Sequence, residues 1–432
     1  MGSNLLRVSV GGVALRAALV ALVPALPALL QHRTELLTPL LSWLRLQEGH
    51  HLLTRLSPSL NPYSSGSFHG PPLFLFLVGP FTALPDWAGY ALWTAADVGI
   101  AWALAGVAER RKRGEVLEEE GGRRWGGARV AAMYLFHPFS VGTTLARSGV
   151  TFSNLFVALA VESAVSGSTL AAVSLISLAT HFSLYPVLLL PPLLLLAHQS
   201  SPTSATGEAK NGALASSLRK TAVEGAAFFL FHQASLLFLS RYLTGSWEFL
   251  FSAYGVILTI PDLTPNIGLS WYFFIEMFDH FRAFFLCVWA LHPVVYVAPL
   301  TYYYRENPLF AITLLTGATS LLKSYPSLGD YALWHGLLAC FSELLPYVHS
   351  PLFLSLLPLH ALFLLPTFHY LWLSSGSGNA NFFYASTLVW AVGMGGWTVE
   401  AMKAFGRREV GRGLGGEGRG KVKSGEWGVV QR

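Results

Sequence analysis

Apolar stretches close to the roughly 20 residues that a helix needs to cross a bilayer recur from Val10 to Phe405, and no interval between them is long enough for a separate soluble domain. Only 12% of the 432 residues are charged, while 53% are hydrophobic; a soluble domain carries about 25% charge. The chain therefore reads as all-α, a polytopic transmembrane helical bundle of about 12 spans. One membrane domain covers 1–405, and a basic, Gly-rich tail over 406–432 is expected to be disordered.

The formal charge of +5 does not point to nucleic acid, because the basic residues are clustered where they mark membrane sidedness. Of the 28 Lys and Arg, seven lie between Arg110 and Arg129 and eight between Lys403 and Arg432. Both segments are expected in the cytosol by the positive-inside rule. The first apolar stretch, about Val10 to Leu30, has Arg7 and Arg16 near its start and no small-residue cleavage site after it, so it reads as a retained anchor with a cytosolic N-terminus.

From that start, residues 31–71 form a lumenal loop, and 87–107 return the chain to a cytosolic basic loop over about 108–129. Pro71, Pro72, Pro80 and Pro85 make 72–84 a short interfacial or dipping helix rather than a crossing. Ten further crossings begin near 130, 150, 168, 186, 221, 284, 308, 329, 351 and 382. The weakest, 186–198, holds Pro191 and Pro192; the cytosolic linker at about 199–220 carries Lys210, Arg219 and Lys220, in keeping with that parity. Ten is even, so the basic tail is again cytosolic. The loops at 33–73, 241–270, 323–330 and 374–381 then share the lumenal face, and their convergence describes a site for an amphiphile whose head group lies on that side.

Within 271–285, WYFFIEMFDHFRAFF, one helix would align Glu276, Asp279, His280 and Arg282 as a polar strip. Such groups cannot face acyl chains; they pair with one another in a packing network or serve a ligand. In PDLTPNIGLSW, Asp262 and Asn266 favour a rigid turn and could alternatively touch ligand. In KSYPSLGD, Lys323 either ends a helix before a turn or meets a lipid phosphate. SSGSGNANFFYA leads into a helix with Asn379 and Asn381 at its start; capping needs one amide, most naturally Asn381, and leaves Asn379 to meet a head group. Tyr63, Ser64 and His69 in NPYSSGSFHGPPL read as loop geometry.

No HExxH, GxSxG or P-loop motif is present. Cys287 and Cys340 sit in apolar stretches, match neither a disulfide framework nor a metal-ligand spacing, and read as packing residues. No metal or other cofactor is implied. A sugar transferase would want an acidic group, often a pair, in the first lumenal loop, where the chain offers Glu35 and a more distant Glu48. That rival, a lipid-linked glycosyltransferase, predicts an indispensable Glu35. A transporter or flippase would show two related halves, and no internal repeat is evident.

The segments RTELLTPLLSWLRLQEG, NPYSSGSFHGPPL, HFSLYP, PDLTPNIGLSWYFFIEMFDHFRAFF, KSYPSLGD and SSGSGNANFFYA give the chain a close resemblance to the PIG-U subunit family of glycosylphosphatidylinositol (GPI) transamidase over most of its length. It departs from that family in the 109–129 loop, the 200–217 linker and the extended basic tail. The resemblance implies a non-catalytic, multi-pass subunit of the endoplasmic reticulum membrane, with a helix arrangement similar to lipid-linked (GT-C-like) glycosyltransferases. The implied partners are a PIG-K-like catalytic subunit, PIG-T, PIG-S, the GPI anchor attachment subunit and membrane lipids. The implied ligand is the GPI lipid or the C-terminal attachment signal. On this reading Asn379 and Asn381 touch the polar head, and Phe382, Phe383 and Trp271 line the acyl boundary. Glu276, Asp279, His280, Arg282, Asp262, Asn266 and Lys323 complete the candidate set.

Overall fold

The structure is a computed structural model that describes residues 2–56, 61–64, 68–114, 124–201, 211–414 and 416–425. Parts of the first lumenal loop, the basic loop, the linker and the tail end lie outside these residues. Among the described residues the regular structure is helical, without strands. Five helices are long and apolar enough to cross a membrane: Gly2–Leu22, Asp86–Lys112, Ser216–Thr244, Asp279–Tyr303 and Pro351–Leu373. Several other expected crossings are helices too short to span about 30 Å of hydrocarbon at ~1.5 Å per residue, among them Val150–Val165, Thr169–Phe182 and Pro308–Leu322. The chain divides into two compact units, one of residues 1–114 and 126–336 and one of 115–125 and 337–432.

In the first unit the crossing expected from 130 is two pieces, Gly127–Leu135 and Pro138–Leu145. Pro138 lacks the N–H that a continuous helix would use and forces His137 into an extended backbone, so the Leu135 carbonyl loses its helical partner. Arg16 replaces that partner: its guanidinium donates to Leu135 O at 3.0 Å and Gly12 O at 3.1 Å, and it pairs with Asp97. Asp97 also accepts from Tyr134 and Ser140, each at 2.7 Å. Both ions are about 2% exposed. Arg16 is thus the centre of a buried network rather than a flanking marker of sidedness, and Gly12 lets the helices approach, since a Cβ there would meet Leu135 side-chain atoms at 3.2 Å.

The short piece at Pro72–Val78 is, as its prolines predict, too short to cross, and it packs into a core. Phe74 packs edge-on against Phe182 and tilted against Phe152, Phe152 meets Trp93, and Trp93 meets Trp43 with centroids 5.3 Å apart. Glu276 caps the six-residue helix Ser270–Ile275, and a new helix starts only at Asp279. The single helix expected over 271–285 is therefore broken between Glu276 and Asp279, and the helix from Asp279 is interrupted at Tyr296 after Pro293.

In the second unit Pro351–Leu373 packs antiparallel to Ala380–Arg412. The segment 342–349 collects basic chain: Arg124 pairs with Glu343, Arg407 donates to Tyr347 O at 2.7 Å and to Glu400, and Lys423 lies 5.3 Å over the Tyr347 ring. Where the composition predicts a disordered tail, residues up to Arg412 continue a helix and Gly416–Ser424 form another, with Val422 buried. Cys340 is buried, but Cys287 is exposed and packs in no core.

Candidate functional site

Contacts between distant loops of the first unit fall into two sets, and each set contains only segments that the charge pattern places on one side of the membrane. On the side expected to be cytosolic, Arg110 pairs with Glu162 and Gln199 donates to Arg305 O at 2.7 Å. On the opposite side, Asn61 donates to Ser246 and Glu248, His69 meets Ser252 O at 2.9 Å, and Leu328 N donates to Glu35 O at 2.8 Å. The richest polar construction lies on this second side.

Its first wall is the 31–45 segment. Arg33 forks onto both oxygens of Glu35, at 2.6 and 3.1 Å, and Gly149 N donates to Leu41 O at 2.7 Å. Arg147, held at a positive φ of 53° that non-glycine residues seldom adopt, lies 4.0 Å over Trp43 and 4.5 Å over Tyr90 and donates to Asp86 at 2.9 Å. Together these contacts fix the segment against the helical core.

The second wall is 262–270 packed on 323–330. Asp262 accepts from Thr264 N, and Asn266 accepts from Gly268 N at 2.8 Å while donating to Thr264 O, so both side chains build the turn that their residue types favour. Gly268 is required there by contact: a Cβ would sit 2.6 Å from Pro326. Ser270 donates to Ser324 O at 2.6 Å, and Tyr325 donates to Asp262 O at 2.9 Å. Burial, and then the nearby Asp262 carboxylate, push the Tyr325 phenol above its ordinary pKa. Tyr185, from the turn after Thr169–Phe182, accepts from Ser324 N at 2.8 Å and bonds the Ser324 hydroxyl.

Adjoining spaces lie along these walls. A vestibule of about 570 Å3, open mouth included, is lined by mostly polar residues such as Arg33, Thr38, Arg45, Asp262 and Asn266. Thr38 also borders a tight inner chamber, whose two adjoining hollows share Ser183, Tyr185 and Lys323. Tyr185 and Ile257 line both the chamber and an apolar groove of about 630 Å3, open mouth included, lined also by Leu184, Leu188, Trp289 and Val294. The polar-to-apolar order is that of an amphiphile.

Lys323 caps the helix Pro308–Leu322 and is 8% exposed. Its ammonium donates to Asp330 at 2.5 Å; the second oxygen of Asp330 accepts from Ser327 N and Ser327 Oγ. The helix end expected from the sequence is there, and the lysine head lines the chamber.

The remaining candidates fare differently. Because the helix breaks at Glu276, no strip forms: Glu276, Asp279 and His280 are exposed, while Arg282 turns back to donate to Ile260 O at 2.7 Å and Phe274 O at 3.2 Å. Neither an acid–base network nor a shared ligand face results. Trp271 and Phe383 are wholly buried, so neither lies on a surface that acyl chains reach; Phe382 is exposed and stacks on Phe368. In the second unit Asn379, not Asn381, is the cap, accepting from Asn381 N and Phe382 N at 3.1 and 3.3 Å, because the helix starts at Ala380. Asn381 is exposed in the first turn.

No single-residue motif in the sequence singles out Tyr185, Ser324, Asp330 or Asp97. Asp97 carried a visible signal, a lone carboxylate in a predicted span, which by default marks a partner or a site. Tyr185 carried none, since its importance is its position at the junction of three spaces.

Comparison with known proteins is consistent along the chain. The family model described as GPI transamidase subunit PIG-U matches residues 10–390. The GPI-anchor transamidase component PIGU of Cricetulus griseus is 33% identical and that of Homo sapiens 32% identical, each over 95% of both chains. The GPI transamidase component GAB1 of Saccharomyces cerevisiae is 33% identical over 96% of this chain and 98% of its own.

Proposed function

Since the chain belongs to the PIG-U family of GPI transamidase subunits, we propose that it is a subunit of that complex in the endoplasmic reticulum membrane, holding the GPI lipid while other subunits carry the transamidation chemistry. The observation that carries this reading is the adjacency of vestibule, chamber and groove, which share Thr38, Tyr185 and Ile257 as lining residues. GPI has the same order of parts: a polar glycan and inositol, a phosphodiester, and apolar chains. With both chain ends in the cytosol, as the basic clusters require, the vestibule opens to the lumen, where a head group awaiting a protein carboxyl end would lie.

The bidentate contact of Arg33 with both oxygens of Glu35 supports reading that carboxylate as the partner of the arginine rather than as the base of a glycosyltransferase. The partners in this proposal are the other transamidase subunits, with a PIG-K-like subunit supplying the nucleophile. The test fills the groove. Ala290→Trp and Val294→Trp in the assembled complex are expected to cut the GPI lipid that co-purifies, measured by mass spectrometry, while assembly is retained. Full retention of GPI by both variants, with the groove filled, would sink the proposal and favour the attachment signal as the ligand.

A further inference from the structure

Lys323 has three N–H donors, and among the described residues its one partner is Asp330. An ammonium at 8% exposure with donors left over is costly unless something in the adjoining space accepts from it. The hydroxyls of Thr316, Thr319 and Ser320, which line this space, do not fill that role: each donates to a carbonyl of its own helix, and the one hydrogen bond of the ammonium goes to Asp330. Asp330 is fully engaged by Lys323 and by the two Ser327 donors, so it anchors the lysine and offers little to a ligand.

The surroundings restrict what such an acceptor can be. The chamber that holds the lysine adjoins the apolar groove at Tyr185 and Ile257, which line both, and Trp289 on that groove has a buried indole N–H without a partner. A ligand that satisfies both donors carries a strongly accepting oxygen group immediately next to an apolar chain with weaker acceptors of its own. Phosphodiester oxygens beside acyl ester carbonyls fit that order. A simple polyol lacks the chain, and a neutral diacylglycerol lacks the phosphate.

We propose that Lys323 is the phosphate seat of this cavity, donating to a non-bridging oxygen of a lipid phosphodiester while Asp330 holds the ammonium in place. The assignment rests on the lipid-holding reading and deepens it by naming the atom group recognised. Free phosphate shares that chemistry; the continuous apolar groove favours the lipid.

The experiment uses the assembled complex, stripped of lipid and reloaded with phosphatidylinositol or with diacylglycerol of the same chains, followed by quantitation of retained lipid. Lys323→Ala is expected to lower phosphatidylinositol retention about tenfold, the loss of one charge-assisted contact, and to leave diacylglycerol retention unchanged. Lys323→Arg should recover part of the loss. Excess inorganic phosphate should not displace the lipid. Equal retention of phosphatidylinositol by Lys323→Ala and the parent, an equal fall for both lipids, or displacement by inorganic phosphate would each overturn the assignment. If neither lipid is retained by the parent complex, it is the lipid-holding reading itself that fails, a different result from retention without discrimination.

Discussion

Two buried ion pairs in the first unit, Arg16–Asp97 and Lys323–Asp330, look alike as residue types and differ in how completely they are satisfied. Arg16 reaches a carboxylate, a hydroxyl and two backbone carbonyls, leaving its buried Nε alone without a partner, and Asp97 accepts from three side chains. Lys323 reaches one carboxylate and faces a cavity. A charge whose bonds are closed by protein holds helices in place, here by occupying the carbonyl that Pro138 releases. A charge whose bonds are left open beside a cavity is available to a ligand. Burial alone does not distinguish the two; counting donors does.

That contrast can be broken most forcefully at Asp97. Asp97→Ala leaves the Arg16 charge uncompensated, and a loss of about 3–5 kcal/mol is expected, read as a large fall in thermal midpoint in detergent. The pair replacement Arg16→Met with Asp97→Leu should return at least half of it, since apolar packing commonly substitutes for such a pair. If Asp97→Ala melts like the parent, the pair is not structural. Lys323→Ala should behave in the opposite way, costing about 1 kcal/mol of stability while lipid discrimination drops. A collapse of stability comparable to Asp97→Ala would erase the distinction between the two pairs.

The amides at the start of Ala380–Arg412 sharpen the same point at smaller scale. Asn379→Ala is expected to cost about 1 kcal/mol through loss of the cap, and Asn379→Asp to restore it, measured by thermal unfolding. Asn381→Ala should leave stability close to that of the parent; the reverse ranking would show that the helix begins one turn differently. Least affected is the broken 276–280 segment: Glu276→Gln with Asp279→Asn should shift stability by no more than about 0.5 kcal/mol, because both side chains are exposed and form no ion pair in the described structure. A larger loss in the double variant would indicate a network there after all.

Much was readable before any coordinates. Apolar content fixed an all-helical membrane protein, clustered Lys and Arg sorted the loops into two sets, and the prolines at 71–85 marked a piece too short to cross. The loop contacts join segments within each set, as parity requires. The turn chemistry of Asp262 and Asn266 was equally local, since those side chains bond backbone two residues away. These properties depend on composition and on near neighbours, which a linear sequence contains.

What failed in the reading depended on where a helix actually stops. The strip from Glu276 to Arg282 needed an unbroken helix, and the choice of Asn381 as cap needed a start two residues later; both were undone by boundaries that packing sets. Trp271 and Phe383 are aromatic in a way that suits either lipid or core, and only burial decided for core. The cavity is the extreme case. Thr38, Tyr185, Ile257 and Lys323 lie up to 285 positions apart, carry no shared motif, and come together only when helix ends at one end of the first unit pack around adjoining spaces. Sequence determined which groups could tolerate a membrane; tertiary packing determined which of their bonds were closed by protein and which stayed open to a ligand, because hydrogen-bond satisfaction is a property of neighbours in space.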